Sequence, residues 1–193
     1  MAHIQTLREE RMEKLSFAHL KRARLPRRTW KFALKDIEYE GLSDFCDGIY
    51  LDLVEGNGLQ IRGPAGVGKT TMACVMSKYA MLHGATVLYL NGADFVKAGM
   101  KDDIFDFETE ETVIERAESV NLLIFDNPGM IGKSDHAWSR LQALLKRRGD
   151  EVLSTFLICD EPQDHLYSIK DDPTIYVSCA SKLPVATKTW SDK

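Results

Sequence analysis

The chain has 193 residues, 44% of them of apolar type, and a formal net charge of −4. That fits one globular domain with at most a short appendage. It contains no run of about 18 or more apolar residues and no signal-type stretch behind Met1-Ala2-His3-Ile4-Gln5, so the expected location is cytoplasmic, with no membrane partner.

The charge is unevenly divided. Residues 1–35 hold ten Lys/Arg and three Asp/Glu, a balance of +7, and the remainder holds fifteen and twenty-six, a balance of −11. A basic arm on an acidic body points to an anionic partner, either nucleic acid or an acidic protein face; a solvated amphipathic helix would use the same residues. Ile4, Leu7, Met12, Leu15 and Ala18 recur at helical spacing, so the pattern predicts a helix over 4–22, with Arg11 intruding on its apolar face. Arg24-Leu25-Pro26-Arg27-Arg28 is expected to break it, because proline lacks a donor and disfavours helix in the residue before it. The expected boundary therefore separates a helical basic arm, 1–28, from a core, 29–193.

A second helix is predicted over 42–55, ended by Gly56-Asn57-Gly58. A short strand, Leu59-Gln60-Ile61-Arg62, then feeds Gly63-Pro64-Ala65-Gly66-Val67-Gly68-Lys69-Thr70, which matches G-x-x-x-x-G-K-[ST] in full and opens a helix over 69–83. Glycines let the backbone curl so that its N–H groups meet phosphate oxygens, and the helix N-terminus adds positive potential. Lys69 is expected to reach the β- and γ-phosphates and the Thr70 hydroxyl to ligate Mg²⁺, with Thr71 completing the binding set. The guanine-specifying N-K-x-D pattern is absent, which favours ATP over GTP.

Further strands are predicted at 86–90, 121–126 and 154–160, and helices at 93–99, 108–119 and 134–148. Strand followed by helix, repeated, is the signature of a parallel sheet covered on both faces. The apolar strand Leu122-Leu123-Ile124-Phe125 ends in Asp126, the pattern of a Walker B strand. Its carboxylate is expected at the ligand crevice, within reach of Mg²⁺. Many ATP-hydrolysing proteins of this class place glutamate next, to deprotonate the attacking water; Asn127 can hold a water but cannot accept a proton at neutral pH. Slow hydrolysis is the expectation, unless Asp160 or Glu161 serves as the base.

These segments resemble the helicase-loader ATPases of the DnaC type and the related IstB transposition ATPases, both AAA+ proteins. The likeness lies in the basic-proline turn and aromatic segment Arg24 to Phe32, the strand and P-loop Gly58 to Thr70, and the strand Gly84 to Leu90. Leu122 to Asn127 stands where the family has its Walker B strand, and Ser154 to Asp160 where its sensor strand ends near the γ-phosphate. The resemblance implies a P-loop sheet sandwiched by helices, ATP and Mg²⁺ as ligands, and a replicative helicase and single-stranded DNA as partners. A homo-oligomer formed on ATP or DNA binding is also implied. Two departures stand out. Asp160 replaces the usual sensor asparagine and cannot donate to phosphate unless protonated. No arginine follows Arg148, and Lys182, in Ser181-Lys182-Leu183, occupies the place of the arginine that would reach a neighbour's nucleotide, with Lys193 a loose match to the second. The early end of the sequence implies a reduced or absent lid, as in a compact, phage-type form.

Other features admit bland readings. Lys146-Arg147-Arg148 either answers the dipole of the helix it ends or touches nucleic acid or a neighbouring subunit's phosphates. Trp30 and Phe32 either pack the arm on the core or stack on bases. Cys46, Cys74, Cys159 and Cys179 show no zinc or disulfide spacing, the histidines suggest no metal site, and the acidic stretch 102–115 reads as a solvated face. Functionally, a helicase-loader-like ATPase competes with an IstB-like transposition ATPase, a non-catalytic nucleotide-gated adaptor and a small P-loop kinase. The arginine-free C-terminal segment argues against the kinase, which would place lid arginines around the transferred phosphoryl group.

Overall fold

The apolar run from Leu122 becomes strand β3 (Leu122–Asp126), buried at every position. It lies in a four-stranded parallel sheet of order β1-β4-β3-β2, with β1 at Leu59–Arg62, β2 at Val87–Asn91 and β4 at Ser154–Cys159. The computed structural model describes residues 15–37, 39, 42–62, 65–98 and 110–159. Residues 4–14 of the helix expected over 4–22, Gly63 and Pro64, most of the acidic stretch 102–115, Asp160, Glu161, Cys179, Ser181-Lys182-Leu183, Lys193 and any lid lie outside those residues.

Alternate residues of each strand serve opposite faces of a sheet. Leu122 and Ile124 enter one core cluster, and Leu123 and Phe125 enter another. The first cluster is covered by α2 (Leu42–Val54) and α3 (Lys69–Leu82), the second by α4 (Gly92–Lys97), α5 (Glu110–Ser119) and α6 (Asp135–Asp150). Helices on both faces explain why the strands read as continuous apolar runs rather than alternating ones. The α/β architecture expected from the strand–helix repeat is the observed one, with the ends of the elements from Leu42 onward shifted by at most two residues; the helix expected over 4–22 is corrected, since Ser16 is extended (ψ 153°) and the described helix starts only at Phe17. Among the described residues, no helix is long and apolar enough to cross a membrane.

The segment Phe17 to Phe32 is fastened to the sheet and α3 by backbone contacts. Helix α1 (Phe17–Arg22) ends where the sequence indicates, but Pro26 is not what stops it. Arg24 takes a left-handed conformation (φ 55°). The Leu25 N–H returns to Leu20 O at 3.1 Å and the Arg24 N–H to Lys21 O at 2.9 Å, the paired bonds of a Schellman end, usually built on glycine. Leu20 and Leu25 are both buried in the first cluster, the apolar contact that goes with this motif. The chain then runs along the sheet: Tyr89 N–H donates to Ala23 O at 2.8 Å, which covers part of the open edge of β2.

Two buried cations are satisfied mainly by backbone carbonyls. Lys78 on α3 is 3% exposed, and its ammonium donates to Thr29 O (3.1 Å), Trp30 O (2.9 Å) and Phe32 O (2.7 Å). An ammonium has three donors, so this set satisfies it. Burial lowers its pKa from the usual lysine range.

Arg148 is fully buried. It donates from Nε to Thr155 Oγ1 (2.9 Å), from Nη1 to Ala117 O (2.6 Å) and Val120 O (3.0 Å), and from Nη2 to Ser154 O (2.5 Å). It thereby ties the end of α6 to the end of α5 and the start of β4. Burial lowers the Arg148 pKa to about 10. The nucleic-acid reading of Arg148 is therefore corrected: it is a core clamp. Arg147 pairs with Glu118 at 2.8 Å and Lys146 with Asp150 at 3.2 Å on the surface. Trp30 is likewise engaged internally, with Nε1 donating to Leu25 O at 2.8 Å and its ring stacked on Phe17 at 5.7 Å. Phe32 packs on the first cluster, so packing, rather than base stacking, is the role these rings have here.

Removing the guanidinium leaves buried carbonyls unsatisfied at roughly 1–3 kcal/mol each. Arg148→Ala is expected to lower the unfolding free energy by about 3 kcal/mol or more, and Arg148→Lys to recover only part, since an ammonium lacks the planar fork. Urea unfolding of the three proteins checks this; equal midpoints would contradict it.

Candidate functional site

All four parallel strands end at one edge of the sheet, and the site is built there. The P-loop residues Ala65, Gly66, Val67 and Gly68 run into α3, whose first residue is Lys69. Gly66 and Gly68 are left-handed, at φ 85° and 99°. An added Cβ at Gly66 would meet nothing within 4 Å, so glycine is needed there for its backbone conformation rather than for space. Lys69 is 8% exposed and Asp126 is also 8% exposed, yet both line a cleft of about 590 Å³ with Thr70, Thr71, Tyr89 and Asn127. Gly63 and Pro64, the remaining P-loop residues, and Asp160 lie outside the described residues.

The Thr70 hydroxyl donates to Asp126 Oδ2 at 2.8 Å, and the Tyr89 hydroxyl donates to the same oxygen at 2.7 Å. The structure thus brings together the two residues expected at a metal, one from the start of α3 and one from the end of β3. A threonine hydroxyl beside a carboxylate is an all-oxygen donor set of the kind Mg²⁺ takes alongside phosphate and water. The residues present fit that ion. They fit a polyphosphate as well: a left-handed glycine loop opens a 14-residue helix, with a lysine at its first position.

Tyr89 is a site residue that sequence reasoning missed. Burial raises its pKa well above the ordinary phenol range, with the Asp126 charge adding to the effect. It therefore stays a donor, fixing one carboxylate oxygen. Arg28 is the second such residue. It lines the same cleft, 41 positions before Lys69 (69 − 28). Neither carries a local sequence signal; only the β2–β3 register and the path of the arm bring them in.

Asn127 follows Asp126 in a left-handed conformation (φ 51°), with its N–H bonded to Ile158 O at 2.9 Å. Asparagine tolerates this region, whereas most side chains pay roughly 1–2 kcal/mol for it. The turn geometry thus supplies a reason, independent of catalysis, for an amide where glutamate is common. The turn also packs tightly on the end of β2: a Cβ at Gly92 would lie 2.5 Å from Asn127 O. Asn91, opposite Asp126 in the sheet, caps α4 by accepting from Asp94 N at 2.8 Å. Cys46, Cys74 and Cys159 are buried free thiols, and burial pushes Cys74 up to about 12, so Cys74 stays a thiol rather than a nucleophilic thiolate. No cluster of metal-ligating His, Cys, Asp or Glu occurs among the described residues.

Comparison with solved structures bears on the fold. The chain is similar to the crystal structure of the DnaC helicase loader, with a TM-score of 0.59, 15% identity, and 84% of this chain and 99% of that one covered. It is also similar to DnaI (TM-score 0.60, 17% identity, 85% and 91% covered) and to AMPPCP-bound DnaA from Aquifex aeolicus (TM-score 0.58, 21% identity, 77% and 49% covered). The fold is that of the P-loop AAA+ proteins. In sequence, 98 residues are 30% identical to the replicative helicase loader DnaC of Buchnera aphidicola subsp. Schizaphis graminum, spanning 50% of this chain but only 39% of that relative. A second DnaC, from Buchnera aphidicola subsp. Acyrthosiphon pisum, matches over the same shares. The family model described as IstB-like ATP binding protein matches residues 6–180. The chain belongs to the IstB-like ATP-binding protein family.

Proposed function

We propose that this protein is a helicase-loader-like ATPase acting in DNA replication, in which Mg²⁺-ATP works as a switch. The observation that carries the reading is the convergence of Thr70 and Asp126 at 2.8 Å beside Lys69 in one cleft. In this reading Gly63 to Thr71 cradle the phosphates, Lys69 neutralises the β- and γ-phosphates, and Thr70 and Asp126 hold Mg²⁺. Bound Mg²⁺ would draw charge from the terminal phosphate, while Tyr89 keeps the Asp126 carboxylate oriented. Asp160 would stand at the sensor position.

The arm is where a partner is proposed to engage. Residues 1–28 form the arm and 29–193 the ATPase core, with Leu20, Ala23 and Leu25 anchoring the arm to the core. In this reading the N-terminal helix of the arm meets a replicative helicase, while basic residues contact single-stranded DNA. Similarity to DnaC and to the DnaC and DnaI folds supports this choice. Deleting 1–14 is expected to abolish capture of the helicase in the presence of ATP while ATP binding persists. Undiminished capture would contradict the loader reading, and recovery of a transposase instead would point to the IstB-like alternative.

Slow turnover is the second element, and it favours a switch over a motor. Asn127 offers no base, and general-base catalysis contributes about 10²–10⁴-fold. Asn127→Glu is expected to raise the single-turnover hydrolysis rate by on the order of 10²-fold. A wild-type rate already comparable to a fast ATPase, unchanged by the substitution, would contradict it.

A further inference from the structure

The 3-10 turn Arg27–Thr29 sends three consecutive side chains in three directions. Arg27 lies over the Trp30 ring at 5.6 Å, and Thr29 is fully buried, its hydroxyl on Pro26 O at 2.7 Å. Arg28, between them, faces the cleft shared with Lys69, Thr70 and Asp126. It is exposed and makes no hydrogen bond or ion pair with another described residue. Its guanidinium is nonetheless close enough to Tyr89 and Cys74 to offset part of the pKa rise that burial imposes on both.

The backbone on either side of Arg28 is tied to the elements that form the site. Upstream, Ala23 O holds Tyr89 N–H at 2.8 Å, and the Tyr89 hydroxyl holds Asp126 at 2.7 Å. Downstream, Thr29, Trp30 and Phe32 carbonyls are held by Lys78, on the helix that starts at Lys69. An exposed cation at the mouth of an anion site, on a fixed backbone, is placed to read the ligand's charge. The geometry points to Arg28 as a guanidinium contact for the terminal phosphate of a bound nucleoside triphosphate, supplied in cis by the turn Arg27–Thr29.

This rests on the cleft being a nucleoside-triphosphate site. The third phosphate adds charge and a pair of oxygens that a guanidinium fork matches, which is what would let Arg28 distinguish tri- from diphosphate. Lys69, deep in the cleft, would meet both nucleotides; Arg28, at its mouth, would meet only the longer one.

The test is calorimetric titration of the full chain with the magnesium complexes of AMPPCP and of ADP, for wild type, Arg28→Ala, Arg28→Lys and Lys69→Ala. Arg28→Ala is expected to lose about tenfold in AMPPCP affinity and about twofold or less in ADP affinity, with Arg28→Lys between. Hydrogen exchange at residues 23–32 should be slower with AMPPCP than with ADP in wild type, and equal in Arg28→Ala. An unchanged AMPPCP-to-ADP ratio in Arg28→Ala overturns the inference, as does a loss confined to single-stranded oligonucleotide binding. Retained affinity for both nucleotides in Lys69→Ala would instead sink the nucleotide site itself. Loss in Lys69→Ala with an unaltered ratio in Arg28→Ala sinks only the role given to Arg28.

Discussion

The contact between the Thr70 hydroxyl and the Asp126 carboxylate, 2.8 Å long, joins the two ends on which the site depends. Thr70 sits in the first turn of α3, fixed by the left-handed glycines of the P-loop. Asp126 closes β3, a fully buried strand hydrogen-bonded on both sides. Neither end can move far without disturbing a packed face of the sheet, since interiors close to crystal density transmit displacement rather than absorb it. Tyr89 reinforces the arrangement from β2. A threonine hydroxyl and a carboxylate held this close are pre-arranged for a shared cation, and pre-arrangement reduces the ordering that binding must otherwise supply.

Around this point buried cations fasten the fold through backbone carbonyls. Arg148 gathers carbonyls from α5 and β4, and Lys78 gathers carbonyls from the segment after the arm. Burying a charge costs several kcal/mol unless hydrogen bonds replace its hydration. In each case they do, so the cation acts as a multi-point staple for backbone that would otherwise present unpaired carbonyls. The consequence for function lies in connectivity. Lys78 and Lys69 share one helix, so the staple that holds the Thr29, Trp30 and Phe32 carbonyls and the P-loop lysine are carried by the same element.

Much of this was legible in the residues. The glycine loop, Lys69, Thr70 and the apolar run ending in Asp126 are local patterns whose chemistry requires their spacing, and the strand–helix alternation implied the parallel sheet. What was not legible depends on register and path. Tyr89 looks like one more apolar strand residue until β2 is set beside β3. Arg28 looks like part of a basic cluster until the Ala23–Tyr89 bond and the Lys78 staple fix the course of the arm. Arg148 reads as a solvated helix end because α6 continues to Asp150 and turns inward at a position where no local pattern marks burial. The end of α1 shows the same limit: proline is the visible breaker, but the left-handed Arg24 terminates the helix first.

The proposed shared cation is tested most directly by the Mg²⁺ dependence of ATP affinity in the wild-type chain and in Asp126→Asn, measured by calorimetry with and without chelator. Asparagine keeps the shape of the side chain and an oxygen for Thr70 and Tyr89 to donate to, while removing the charge. The expected result is a clear strengthening of ATP binding by Mg²⁺ in the wild type that largely disappears in the variant, with metal-free affinity in the variant no weaker than in the wild type, since a negative charge is removed from the cleft. The same Mg²⁺ enhancement in both proteins would contradict a metal held between Thr70 and Asp126.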